Sequence, residues 1–175
     1  MVKEFEHKNQ WALVLGGSAG LGLATAKKLA AHGCNIIIVF RSARVNLPGV
    51  EKEFDAIRNT GVGFLSFNKD AMNREKRMEM TGEIIAALGN TGKIRVLVHS
   101  IAKGNLKPMI DPGKPELQNE DFHLTLDSMA ICLYDWLRET ARIHFKGASE
   151  QPMRAMEGTM RAKTIQRGLT GQQKN

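Results

Sequence analysis

The sequence predicts an α/β fold, a doubly wound parallel sheet with strands in the order 3-2-1-4 and helices on both faces. Three observations carry this expectation. Strand-sized apolar runs at 11–15, 35–40, 62–67 and 94–99 are separated by stretches long enough for helices, which is the rhythm of βαβ units and not of hairpins. The first two runs are apolar almost without interruption, as strands buried on both faces must be. Between them Gly16, Gly17, Gly20 and Gly22 crowd together and lead straight into a helical pattern. With 175 residues and 42% hydrophobic composition, the chain has room for one domain with a substantial core.

The first element is Trp11 to Leu15, followed by the spacing Gly16-xxx-Gly20-x-Gly22. Gly16 lets the chain turn off the strand, Gly20 lets backbone approach a pyrophosphate, and Gly22 lets the helix pack tightly on the sheet. N–H groups around Ser18 to Leu21 open the helix, where free donors and the dipole favour an anion. A dinucleotide is the implied ligand, with a purely structural turn as the competing reading. The helix from Ala19 to about Ala31 carries Leu21, Ala24, Ala26, Leu29 and Ala30 as apolar positions, leaves Lys27, Lys28 and His32 to solvent, and stops at Gly33. Asn35 to Phe40 completes the βαβ unit.

Arg41-Ser42-Ala43-Arg44 follows this second strand, and no Asp or Glu occurs between Asn35 and Val50. At this place an acidic residue bonds the ribose 2′-hydroxyl of NAD, whereas Arg favours the 2′-phosphate of NADP. Arg41, supported by Arg44, therefore points to NADP(H) over NAD(H); the plainer reading is a solvated surface arginine. Pro48 starts a second helix with Phe54 and Ile57 on its apolar side and Gly61 at its end. Val62 to Phe67 is the third strand. Asp70 just beyond it is placed to reach an adenine edge or to cap the next helix.

That helix, about Asn73 to Leu88, carries Met78, Ile84, Ile85 and Leu88, its methionines reading as core filler. Ile94 to His99 is the fourth strand. The loop from Lys103 to Gln118 holds three prolines and two glycines, and loops at the carboxyl ends of parallel strands build sites. From about Glu120 to Phe145 a long helix is apolar on more than one face, so it needs cover from further sheet or from a second subunit. Homo-oligomerisation through 120–145 is the expectation.

Residues 7 to 145 resemble the short-chain dehydrogenase/reductase family through GGSAGLG at 16–22, Arg41, Lys69-Asp70-Ala71 and LVHSIA at 97–102. LVHSIA stands where most of the family carries Asn-Asn-Ala-Gly. With SMAICLYDW at 128–136 it is similar to the divergent branch of enoyl-[acyl-carrier-protein] reductases. The resemblance implies a Rossmann-like fold and an NADPH-dependent reductase of fatty-acid synthesis. Its substrate would be an acyl thioester on acyl carrier protein or coenzyme A. It implies that Gly16, Ser18, Gly20, Leu21 and Gly22 hold the pyrophosphate, Arg41 and Ser42 the 2′-phosphate, Asp70 and Ala71 the adenine, and Ser100, Ile101 and Ala102 the ribose region.

The family then requires a fifth strand and a helix with Tyr and Lys four apart, or seven in enoyl reductases, to stabilise the enolate. Lys146 to Asn175 has no apolar run of strand length, and Tyr134, the only tyrosine, is followed by Arg138 at four and Ala141 at seven. No catalytic residue is assigned. The expected organisation is a dinucleotide-binding domain over 1–145, incomplete at its C-terminal half, and an irregular basic tail over 146–175. The chain reads as a truncated or frame-shifted reductase, or alternatively as a non-catalytic NADP(H)-binding module.

The net charge is +7, with +4 of it in the tail, where six Lys or Arg stand against two Glu. That tail has no aromatic residue for stacking on bases, which argues against nucleic acid. No apolar run reaches membrane-spanning length and the charged start MVKEFEHKNQ lacks a signal core, so a cytoplasmic protein is expected. Cys34 and Cys132 read as small core residues. His7, His32, His123 and His144 have no metal-ligand spacing, and no metal is expected. His99 reads as a hydrogen-bonded structural histidine, Trp136 as core or interface, and Asp111 as either a turn former or a substrate contact.

Overall fold

A central strand, β1, Gln10–Leu15, is the axis of the computed structural model, which describes residues 3–146. It pairs in parallel with β2, Asn35–Phe40, on one side and with β4, Lys93–His99, on the other; β3, Phe64–Asn68, pairs with β2. The sheet order is β3-β2-β1-β4, as the apolar runs and the right-handed crossover rule require. Chain direction across the sheet reverses after β3, so β1 and β4 flank the switch point where such sheets open a crevice.

Five of the six residues in β1 and in β2 are buried, because both faces are covered. On one face Ala12, Val14, Ile36, Ile38 and Phe40 pack with Ala26 and Ala30 of α1, Gly20–Ala31, and with Phe54 and Ile57 of α2, Leu47–Arg58. Leu13, Leu15, Ile37 and Val39, of opposite parity, are equally inaccessible, as are Met80 and Ile84 of α3, Arg74–Leu88. The crossover from β3 back past β1 carries α3 to this second face.

Several local expectations change. Leu21 and Ala24 are exposed on α1, where Gly22, Ala26 and Ala30 form the buried stripe; small residues there let the helix sit close to the sheet. Lys27 is not simply solvated, since it pairs with Glu53 of α2. Leu47, not Pro48, begins α2, after a single tight turn at Arg44–Asn46. β3 begins at Phe64 and not at Val62: the Gly63 N–H donates to Asn35 Oδ1 at 2.7 Å, so a side chain replaces the first ladder bond. On α3 the buried residues include Met80, Ile84 and Leu88, whereas Met78 and Ile85 are exposed. The cap of α3 is Asn73, whose side chain accepts from the Lys76 N–H.

The long helix is also interrupted. It comprises α4, Asn119–Leu126, a wider π turn at Asp127–Ile131, and α5, Cys132–Lys146. The hydroxyl of Ser128, fully buried, donates to the Lys103 carbonyl at 2.9 Å and also lies 3.1 Å from the Thr125 carbonyl. Competition of this kind for helix carbonyls accompanies widened turns. Apart from Lys146, which ends α5, the expected irregular tail over 146–175 lies outside the described residues.

Candidate functional site

The glycine turn after β1 is held between its neighbours. The Gly16 N–H donates to the Val39 carbonyl and the Ser100 N–H to the Leu15 carbonyl, each at 2.8 Å. A Cβ on Gly16 would lie 2.4 Å from the Ser100 carbonyl oxygen, and the residue has φ +82°, so space and backbone conformation both demand glycine. A Cβ on Gly22 would lie 2.3 Å from the Gly16 carbonyl oxygen. Its close approach is to the turn after β1 and, at 3.1 Å, to the Ser100 Cβ just beyond β4. The Gly20 Cβ position is open.

The start of α1 carries no substituent anion. Ala19 precedes it without a side-chain cap, and its first turn holds no acidic residue. The first N–H groups of a helix lack internal partners and sit at the positive end of its dipole. The residues present fit a pyrophosphate there on two counts: no carboxylate competes in the first turn, and a Cβ at Gly20 would meet nothing within 4 Å.

A cleft of about 380 Å³ opens where the carboxyl ends of the four strands meet, a volume in the range of small-ligand pockets. Gly16 and Ser18 line it from the β1 turn, Arg41 from the end of β2, Asp70 and Ala71 from beyond β3, and Ser100, Ile101 and Ala102 from beyond β4. Residues from four separate sequence segments are therefore brought to one crevice. Of the remaining candidates, Gly20, Leu21, Gly22 and Ser42 lie outside its lining. Leu21, 83% exposed, packs on nothing that would make it core.

Arg41 does not point freely into solvent. Its Nη1 donates to Asp70 Oδ2 at 3.0 Å, while Asp70 Oδ1 accepts the Met72 N–H at 2.9 Å. Asp70 is thus a turn former and an ion-pair partner, and not the expected alternative of a helix cap. Ser42 is clamped through its backbone: Asn68 Oδ1 accepts its N–H at 2.9 Å and Asn68 Nδ2 donates to its carbonyl at 3.0 Å. Lys69 and Lys103 add positive charge at the rim. Lys69 is turned toward Glu79 and Glu83 of α3, at 3.3 and 3.2 Å, and hydrogen bonding to Glu83 leads the effects that raise its pKa.

Two further residues hold the loops. The indole N–H of Trp136, 1% exposed on α5, donates to the Ala71 carbonyl at 2.9 Å; Trp136 is core, and it fixes the wall that carries Asp70. Asp121 on α4 accepts from Lys107 and from the Gln118 N–H, each at 2.9 Å, and from Asn105. These bonds, with that from Lys107 the strongest, lower its pKa from 3.8 to about 2. Asp121 thereby ties the loop after β4 to the helix that follows.

The remaining sequence candidates fall as follows. Asp111 Oδ1 accepts the Gly113 N–H at 2.9 Å, the turn-forming reading. The His99 pKa is lowered chiefly by burial, against a hydrogen bond with the Ser128 backbone. Its Nε2 is buried with no hydrogen-bond partner among the described residues, so the expected hydrogen-bonded ring is satisfied on one side only. Both cysteines are buried and free, their pKa values pushed up by desolvation to about 11. Tyr134 is 57% exposed on α5, stacked beneath Arg138 at 5.6 Å, and does not line the cleft. Among the described residues no three His, Cys, Asp or Glu side chains group to hold a metal. No described helix is long and apolar enough to cross a membrane.

Sequence reasoning missed Asn68, Asp121 and the hydrogen bond of Trp136. The Gln118-to-Asp121 capping box is a readable signal for the second. The other two arise from strand register and helix docking, which leave no local pattern.

A very-long-chain 3-oxoacyl-CoA reductase of Pyricularia oryzae is 28% identical over 123 residues, covering 67% of this chain and 35% of the relative. A peroxisomal 2,4-dienoyl-CoA reductase of Arabidopsis thaliana is 24% identical over 141 residues, covering 81% of this chain and 43% of the relative. The chain spans less than half the length of either. The crystal structure of an NAD+-bound xylitol dehydrogenase superposes with a TM-score of 0.65 at 24% identity, over 80% of this chain and 49% of that one, a likeness of fold. Residues 10–142 match the short chain dehydrogenase family, and with the glycine turn, the 3-2-1-4 sheet and the crevice at its switch point on the same residues, the chain belongs to that family.

Proposed function

We propose that this chain is the dinucleotide-binding part of an NADPH-dependent short-chain reductase acting on an acyl thioester. The observation that carries the reading is the crevice whose lining joins Gly16 and Ser18, just ahead of the uncapped start of α1, to Arg41 at the end of β2, a stretch with no acidic residue from Asn35 to Val50. Residues 1–145 are the binding unit in this reading, and the tail over 146–175 lies outside it. Gly16, Ser18, Gly20, Leu21 and Gly22 hold the pyrophosphate through backbone donors. Arg41 and Ser42 take the 2′-phosphate, Asp70 and Ala71 the adenine, and Ser100, Ile101 and Ala102 the ribose region.

When bound, the nicotinamide supplies a hydride to the β-carbon of the thioester. The chain's own residues bind and orient. The Tyr134 hydroxyl stands outside the cleft and has no lysine four or seven positions on, so no Tyr/Lys pair stabilises a developing enolate or supplies its proton. Turnover by this chain alone is expected at least about a hundredfold below that of a site with both groups. A non-catalytic NADP(H)-binding module is the second reading, and the absent pair is what favours it.

The acyl thioester is supported by two relatives whose names are those of acyl-CoA reductases. Enoyl reduction, on acyl carrier protein or coenzyme A, is supported by LVHSIA at 97–102 and SMAICLYDW at 128–136. Self-association through 120–145 is supported by Phe122, Leu126, Met129, Leu133 and Leu137, each at least 38% exposed and spaced along one helical stripe.

Titration of the full chain with NADPH and NADH, followed by nicotinamide fluorescence, tests the reading. NADPH is expected to bind in the micromolar range, and Arg41→Ala to remove about tenfold or more of its advantage over NADH. Absence of binding to both cofactors overturns the proposal. Binding with no consumption of a crotonyl thioester supports the non-catalytic module.

A further inference from the structure

The cation at the end of β2 is occupied by a carboxylate of the same crevice. Asp70 Oδ2 lies 3.0 Å from Arg41 Nη1, and its other oxygen is tethered by the Met72 N–H at 2.9 Å, so the carboxylate has a fixed position to which the guanidinium comes. The backbone behind Arg41 is equally fixed, because Asn68 brackets Ser42 on both its N–H and its carbonyl. Lys69, the cation next in sequence to Asp70, is directed to Glu79 and Glu83 and does not neutralise Asp70. The pair itself is open to solvent, with side-chain exposures of 74% for Arg41 and 39% for Asp70. It can therefore exchange partners without unpacking the core.

From this geometry we infer that Asp70 is a specificity-determining residue that works against Arg41, holding its guanidinium until a 2′-phosphate displaces it and thereby narrowing the preference for a phosphorylated dinucleotide. The inference rests on the binding reading above and deepens it. A 2′-phosphate bound to Arg41 would break the ion pair and place a second anion within a few ångströms of the carboxylate, whose tether keeps it from withdrawing. An unphosphorylated ribose demands neither. Any bond between Asp70 and an adenine is common to both dinucleotides, so it cancels in their ratio.

The test is the ratio of the NADH to the NADPH dissociation constant in the full chain, measured by nicotinamide fluorescence for the parent, Asp70→Asn and Asp70→Ser. Both variants keep an oxygen for the Met72 N–H and remove the charge. The ratio is expected to rise about three- to fivefold in both, as loss of an exposed ion pair and its repulsion permits. On an Arg41→Ala background, Asp70→Asn should leave the ratio unchanged, because the partner is gone. An unchanged ratio in folded Asp70→Asn and Asp70→Ser, with the parent binding NADPH normally, overturns this inference and leaves the binding reading intact. A parent chain that binds neither cofactor overturns both.

Discussion

The two sides of the crevice are built to different standards. On the β1–β2 side five of six residues in each strand are buried, helices cover both faces, and the glycine turn is bonded to Val39. On the β4 side no residue of the strand is buried, and the helical segment that follows leaves Phe122, Leu126, Met129, Leu133 and Leu137 exposed. Among the described residues β4 has one strand neighbour, β1. A parallel strand is stable when buried on both faces, so β1 and β2 are held more firmly than β4 within the described residues. Of the proposed contacts, Arg41 and Ser42 follow directly from the well-buried β2, whereas Ser100, Ile101 and Ala102 follow the less buried β4.

Substitutions in the two halves would break the comparison if it is wrong. Ile38→Ala, at a fully buried β2 position, is expected to cost about 2–5 kcal/mol in urea unfolding. Val98→Ala, half-buried on β4, should cost about 1 kcal/mol. Equal losses would refute the asymmetry.

A smaller effect sharpens it. Gly20→Ala meets no steric obstacle, yet the residue has φ +55°, so about 1 kcal/mol of strain is expected. Thermal unfolding would measure that loss, and NADPH affinity should fall with it if the extra methyl crowds a bound pyrophosphate.

The tether of the β4 loop is pH-sensitive. The Asp121 pKa is lowered from 3.8 to about 2, so the folded chain binds fewer protons than the unfolded one in that interval. Its contribution to stability is complete above 3.8 and is lost as the pH falls toward about 2. Asp121→Asn should flatten the acid limb of a stability curve followed by circular dichroism. A parent and variant with identical acid limbs would show that the loop is held by something else.

The smallest change in the folded monomer is expected from Leu126→Glu with Leu137→Glu, at positions 56% and 55% exposed. Such exposed substitutions shift stability by about 0.5 kcal/mol or less. Sedimentation should nevertheless move toward monomer if this stripe buries against a second copy. An unchanged sedimentation coefficient would remove it as a self-association surface.

Much of this was legible. Trp11 to Leu15 and Asn35 to Phe40 announced themselves as doubly buried strands, and the glycine spacing marked the turn between β1 and α1. Arg41 and Asp70 were each visible as site residues, but not as partners, because 29 positions separate them and no local pattern reports a pairing made by β2–β3 register. The long helix differs for a related reason: its apolar periodicity runs on through Ser128, while the distant Lys103 carbonyl that accepts the Ser128 hydroxyl at the widened turn leaves no local pattern. Leu21 misled because an apolar residue in a helical pattern reads as core, while the start of α1 projects beyond the sheet.

The elements, their parallel order and the place of the crevice follow from apolar periodicity, glycine sterics and the handedness of crossovers, all written locally. Who meets whom there had to wait for the fold: Asp70 on Arg41, Asn68 on Ser42, Trp136 on Ala71, Asp121 on the β4 loop. Such contacts depend on strand register and helix docking to within an ångström, and hydrogen bonds between distant residues exist only once that geometry is set.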